Sequence, residues 1–167
     1  MPEDGSGVEG RVEWVLTGPD GKVKGRGTAF NVITQVGDQR LGEAGAGIAG
    51  APAAPTGMKL GSGSTAPAKT GAGAALVTYL ANSNQAIGTP TSALNGAVRR
   101  ITYAATFAAG KATTASAITE AALVNDTIAT DATSTAANTL SRVLLTGIGS
   151  KGASDTLALT WTWDVGT

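Results

Sequence analysis

The amino-acid sequence predicts a mainly β protein, an antiparallel β-sandwich of jelly-roll-like type with one short helix. Three observations carry that expectation. The run DTLALTWTWDV at 155–165 alternates Leu157, Leu159, Trp161, Trp163 and Val165 strictly with Ala158, Thr160, Thr162 and Asp164, the period of a strand with one buried face. Near the other end, Val12, Trp14 and Leu16 alternate in the same way and lead into a turn sequence, Gly18, Pro19, Asp20 and Gly21, as in a hairpin. Beyond residue 97, four strand candidates follow one another at spacings typical of an antiparallel β domain.

Taken in order, residues 1–8 read as a flexible lead-in and 11–17 as the first strand. After the turn, residues 23–33 return antiparallel, with Lys22, Lys24 and Arg26 on one side, opposite Glu13 and Arg11, as on a solvated or charge-protected edge. At Thr34 the period changes. Thr34 is a helix-capping residue type, and Val36, Arg40, Leu41, Ala44 and Ile48 fall near helical spacing. Gly37, Gly42, Gly45 and Gly47 weaken that helix by about 1 kcal/mol per interior site relative to alanine, so it forms only if packed against a sheet.

Residues 50–57, with Pro52 and Pro55, read as a loop or hinge, and Met58, Lys59 and Leu60 as a short apolar run. Residues 61–73 form a turn-rich loop; 75–81 fit a short helix or a strand equally well; 82–97 are polar and turn-rich. In 98–107, Ile101, Tyr103, Ala105 and Phe107 share a face, and residues 108–111 make a turn. In 117–124, Glu120 interrupts the face formed by Ile118, Ala122 and Val124, which calls for a bulge or an exposed face there. Residues 125–138 are a long polar connection. A strand at 139–148 and a hairpin turn at 149–154 then lead into the tryptophan strand.

Composition narrows the function classes. The 167 residues suit one domain, residues 11–167, preceded by an N-terminal arm, residues 1–10. The formal charge is zero and charged residues make up only 14%, which argues against capture of nucleic acid or of an acidic membrane surface. With no cysteine and no histidine, the usual zinc and copper ligands are missing. The start MPEDGSGVEG lacks the basic and apolar regions of a secretory signal, and no run of about 18 apolar residues occurs, so a soluble chain is expected. Aromatic residues are only 4% and glycines number 24, so little area is buried per residue and each glycine costs backbone entropy. A homo-oligomer, or docking onto a larger assembly, is therefore expected to supply the missing burial.

Chemical motifs are weak. A phosphate loop requires its lysine to follow the glycines, but Lys69 and Thr70 precede Gly71. Gly71 and Gly73 make only half of a dinucleotide fingerprint. Asp126 and Asp131, with Asn125, share one polar loop without the spacing of a calcium-binding hand, and read as solvated acids. The abundant serines and threonines have no histidine to activate them. The tryptophans suit a sugar platform less well than a core, given their place in an alternating strand. No catalytic, cofactor-binding or metal-ligating residue is expected.

Five ordered pieces carry a resemblance: Asn31, Val32, Ile33 and Thr34 with Gly37, Asp38 and Gln39; MKLGSGSTAPAKTG at 58–71; TFAAGKAT at 106–113; TEAA at 119–122; and LALTW at 157–161. Together they resemble small bacteriophage virion structural proteins of head-decoration, head-fibre or tail-fibre type. That resemblance implies a non-enzymatic role on the capsid or tail, other virion proteins as partners, and a location in the virion after synthesis in the host cytoplasm. It carries over no catalytic residue. Docking is expected through the N-terminal arm or residues 50–57. The alternative is a tail-fibre or host-recognition binding module using the loops 82–95 and 125–138. A third reading, a glycosidase or depolymerase, needs two carboxylates converging in a cleft, from Glu120, Asp126 and Asp131.

Overall fold

The computed structural model describes residues 7–166. The elements follow in the order β1 (Val8–Thr17), β2 (Val23–Phe30), β3 (Val32–Ile33), α1 (Gln35–Gly45), β4 (Gly57–Gly61), β5 (Gln85–Ala86), β6 (Thr91–Asn95), β7 (Val98–Phe107), β8 (Glu120–Val124), β9 (Thr139–Leu144) and β10 (Thr156–Val165), with a 3-10 turn at Gly71–Ala74. They build two antiparallel sheets of five strands. Sheet I runs β2-β1-β10-β7-β6 and sheet II runs β3-β9-β8-β4-β5. The mainly β sandwich with one helix is thus the architecture observed.

The tryptophan strand β10 lies at the centre of sheet I. It pairs with β1 from Val8 opposite Val165 to Thr17 opposite Thr156, and with β7 from Leu157 opposite Phe107 to Val165 opposite Arg99. Because cross-strand partners point to the same side of a sheet, this register puts Val12, Trp14, Leu16, Tyr103, Phe107, Leu157, Leu159, Trp161 and Trp163 on one inward face. All are buried, and they share a single core with Met58, Leu60, Ala121, Leu123, Leu140 and Val143 of sheet II. Tyr103 meets Trp163 edge to face, with ring centroids 5.4 Å apart. The Trp14 indole spreads over β2, where a Cβ on Gly27 would stand 2.6 Å from Trp14 Nε1. Glycine there is what lets the edge strand lie under the ring.

The three central strands of sheet II are buried on both sides. Every residue of β4 and β8 is buried, and so is β9 except Leu144. Its outer face lies under the segments 62–81 and 125–138, where Leu76, Ala122 and Val124 form a second apolar cluster joined by Tyr79 and Ile128. Helix α1 begins as expected at Thr34, whose Oγ1 accepts from Gly37 N–H at 3.2 Å. Gly37 is its one buried residue, and a Cβ there would run into the Leu140 carbonyl, so this glycine is what allows the helix to rest on β9.

Several expectations change. The run 23–33 is not one strand: Asn31 separates β2 in sheet I from β3 in sheet II, so the chain crosses the sandwich there. Across β1, Arg26 faces Val15 and Glu13 faces Thr28, while Lys24 reaches Asp155 instead. The helix stops at Gly45, short of Ile48. Residues 75–81 form neither helix nor strand beyond a bridge from Tyr79 to Gly61. The turn-rich region 82–97 holds two strands, β5 and β6. The segment 149–154 is no hairpin turn, because β9 and β10 belong to different sheets. As for the arm at 1–10, residues 1–6 lie outside the described residues, whereas Val8, Glu9 and Gly10 already pair in β1 with Val165, Asp164 and Trp163.

Candidate functional site

Glu120 is neither at a bulge nor exposed. It is fully buried on the outer face of sheet II, where the covering loop supplies it with partners. Its Oε2 accepts from Arg142 Nη2 at 2.6 Å and Nε at 3.1 Å, and its Oε1 accepts backbone N–H groups from Gly63 at 3.0 Å, Val77 at 3.1 Å and Thr78 at 2.8 Å. Arg142 also donates to the Gly73 carbonyl at 3.2 Å. The glycine-rich loop and the segment after it therefore do present converging N–H groups to an anion, but that anion is a side chain of the same protein. Such charge-assisted bonds to a desolvated carboxylate hold the 62–81 cover onto the sheet.

A second buried cation fixes the other cover. Lys59, 1% exposed, donates to Asp126 Oδ2 and to the Ala132 carbonyl, both at 2.7 Å, and Asn138 Nδ2 donates to the same carboxylate oxygen at 2.9 Å. Asp131 accepts from the Tyr79 hydroxyl and from Asn82 N–H at 2.8 Å. Those bonds hold its carboxyl below the usual range, the Tyr79 hydroxyl contributing most. Burial first and Asp131 second push the Tyr79 phenol up to about 12. Asn84 donates to the carbonyls of Ile128 and Thr130. Residues 82–84 are thereby fastened to residues 128–131 in the middle of the 125–138 segment.

The weighed acids consequently do not converge. Glu120 is bound to Arg142, Asp126 to Lys59 and Asp131 to Tyr79, each in its own set of contacts. Among the described residues no three acidic side chains gather as a metal site would require. Lys69, the displaced lysine of the glycine-rich loop, pairs with Asp38 of α1. Residues 50–57 are tied down too, by Arg40 Nη1 to the Pro52 carbonyl at 3.0 Å and Asn125 Nδ2 to the Ala53 carbonyl at 3.1 Å. Among the described residues no helix is long and apolar enough to cross a membrane.

An open groove with a volume of about 470 Å³ lies between α1, the 50–57 loop and sheet I. Leu41, Pro55, Pro90, Ile101, Tyr103 and Trp163 make it apolar, and Arg40 places a cation at its wall. Burial raises the Tyr103 phenol above its ordinary pKa. The indole N–H groups of Trp161 and Trp163 are buried without a hydrogen-bond partner. Beside the groove lies β6, which is exposed along its whole length.

Lys59, Arg142 and the true role of Glu120 escape a reading by periodicity. The available signal was a single charge inside each of three otherwise apolar or neutral strands, Met58-Lys59-Leu60, Glu120-Ala121-Ala122 and Ser141-Arg142-Val143. Compared with protein-family models, curated proteins and solved structures, the chain matches none of them.

Proposed function

We propose that this chain is a non-enzymatic structural protein of a bacteriophage virion, assembling as an oligomer on the capsid or tail in a decoration or fibre-base role. The observation that carries the reading is the use of the buried ions. Glu120, Arg142 and Lys59 all fasten loops to sheet II, an arrangement suited to a rigid building block whose surface is fixed before assembly. The sequence resemblance supplies the virion context. The fibre or host-recognition alternative rests on a narrower observation, that Asp131 and Asn84 fix the start of the 82–95 segment against the middle of 125–138.

Quantitative mass spectrometry and electron microscopy of purified particles test the proposal. The chain is expected at a fixed, symmetry-related copy number, and its absence from purified particles would overturn the reading. Deleting residues 1–6, which leaves β1 whole, is expected to weaken attachment if the arm docks. Specific binding of the isolated protein to host-cell glycans would favour the recognition module.

A further inference from the structure

The two edges of sheet I are guarded very differently. At one edge, β2 carries Lys24 and Arg26, the kind of charge that discourages a second chain from adding to a sheet. At the other edge, β6 carries nothing of the sort. No Asp, Glu, Lys or Arg occurs anywhere from Thr70 to Val98. All five residues of β6 are exposed, Leu94 at 71%, and no described segment pairs with the outer side of the strand.

We propose that β6 pairs antiparallel with β6 of a second copy, about a two-fold axis passing beside Ala93, to give one continuous ten-stranded sheet across the dimer. The register comes from the strand itself. Ser92 lies opposite Ile101 and Leu94 opposite Arg99, so Ser92 and Leu94 share the face that carries Tyr103 and Trp163. A two-fold at Ala93 sets Leu94 of each copy against Ser92 of the other. Each exposed leucine then lies one strand away from Ile101, at the mouth of the apolar groove that Pro90 and Ile101 line. On the opposite face Thr91 meets Asn95, a neutral polar pair. Shifting the register by one residue would turn Leu94 to face Thr91 or Ala93 positions on the wrong side.

A second copy suits this edge better than a charged partner would. The uncharged strand brings no like charges together when paired with itself, whereas the same operation on β2 would stack Lys24 and Arg26 of both copies. The contact is also isologous, so it closes at two copies and does not propagate. This pairing deepens the oligomeric reading above by naming the partner, and it is a property of the isolated chain.

Sedimentation equilibrium of the full chain, on the order of 100 µM because a five-residue strand pair is a small interface, tests it. The wild type is expected to be a dimer and Leu94→Lys a monomer whose melting temperature matches that of wild type diluted far enough to dissociate. The chain contains no cysteine, so Ala93→Cys provides a clean second measurement. Directly opposed Cα atoms about 4.5–5.5 Å apart lie within disulfide range, and mild oxidation is expected to yield a covalent dimer. Thr28→Cys on β2, at the other edge of sheet I, is expected to give no covalent dimer under the same oxidation. A wild type that remains a monomer, a dimer indifferent to Leu94→Lys, or an Ala93→Cys chain that fails to cross-link each overturns the pairing. None of those results bears on whether the chain is found in particles, so the two proposals fail separately.

Discussion

Sheet I and sheet II contain the same number of strands, yet their outer faces meet different surroundings, and charged residues act differently on each. On sheet I the outer face is wet: Arg11 and Glu13 pair at 3.0 Å with side chains 38% and 51% exposed. On sheet II the outer face is roofed by loops, and the Arg142–Glu120 pair at 2.6 Å is wholly buried. A solvated pair gains little because water screens it and both side chains lose freedom. A buried pair with every lone pair occupied contributes little beyond an apolar substitute, but losing one member strands the other in a dry interior. The comparison teaches that in this molecule a buried charge in a strand marks where a loop crosses the sheet.

The largest expected effect comes from removing Glu120. Glu120→Ala would leave Arg142 unpaired and three backbone N–H groups without an acceptor, so a loss of about 5 kcal/mol is expected in urea unfolding, with faster amide exchange across 62–81. A loss below about 1 kcal/mol would mean that water replaces the carboxylate and that the roof is not sealed. On the shared core, Trp161→Ala should cost about 3–5 kcal/mol, because the indole is fully buried at the centre of sheet I. A stable, fully folded variant that has lost only partner binding would place this tryptophan at an interface.

The third effect is pH dependence at the rim of sheet I. Lys24 first, and the Gly152 N–H second, hold the Asp155 carboxyl below its ordinary value, as Arg100 does for Asp164. A carboxyl with a lowered folded-state pKa stabilises the fold above its unfolded pKa of about 4, and that contribution disappears as pH falls through the folded value. Thermal melts should therefore show Asp155→Asn less stable than wild type at neutral pH, and the gap should close in strong acid. A gap that persists unchanged there would assign the loss to packing. The smallest effect is expected at the wet pair, where Arg11→Ala should change unfolding by no more than about 0.5 kcal/mol.

Sheet I was legible in the sequence because water on one side enforces alternation. β1, β7 and β10 all show it, and the Thr34 cap marks the start of the helix. Sheet II was harder because burial on both faces erases the period that marks an exposed side. Glu120 looked like an interruption of an apolar face, although its partners Gly63, Val77 and Thr78 come from a loop whose closure no local pattern encodes. β6 was hidden for the opposite reason: its side chains are uncharged, exposed and, Leu94 and Asn95 apart, small, so Thr91–Asn95 resembles a loop until Val98–Phe107 offers it a ladder. Asn31 and the 149–154 segment were misread because crossing between sheets leaves no mark in periodicity.

The pairing of β1 with β10 also sets the timetable of folding. β10 is hydrogen-bonded on both sides, to β1 and to β7, so sheet I cannot close until residues 156–165 have left the ribosome. At translation rates of about 10 residues per second, the β1–β2 hairpin waits roughly 14 s for its neighbour. Throughout that interval Val12, Trp14 and Leu16 have no β10 to cover them, and the free side of β1 can recruit another nascent chain. A message truncated before the tryptophan strand should therefore yield aggregate in place of a shortened soluble protein.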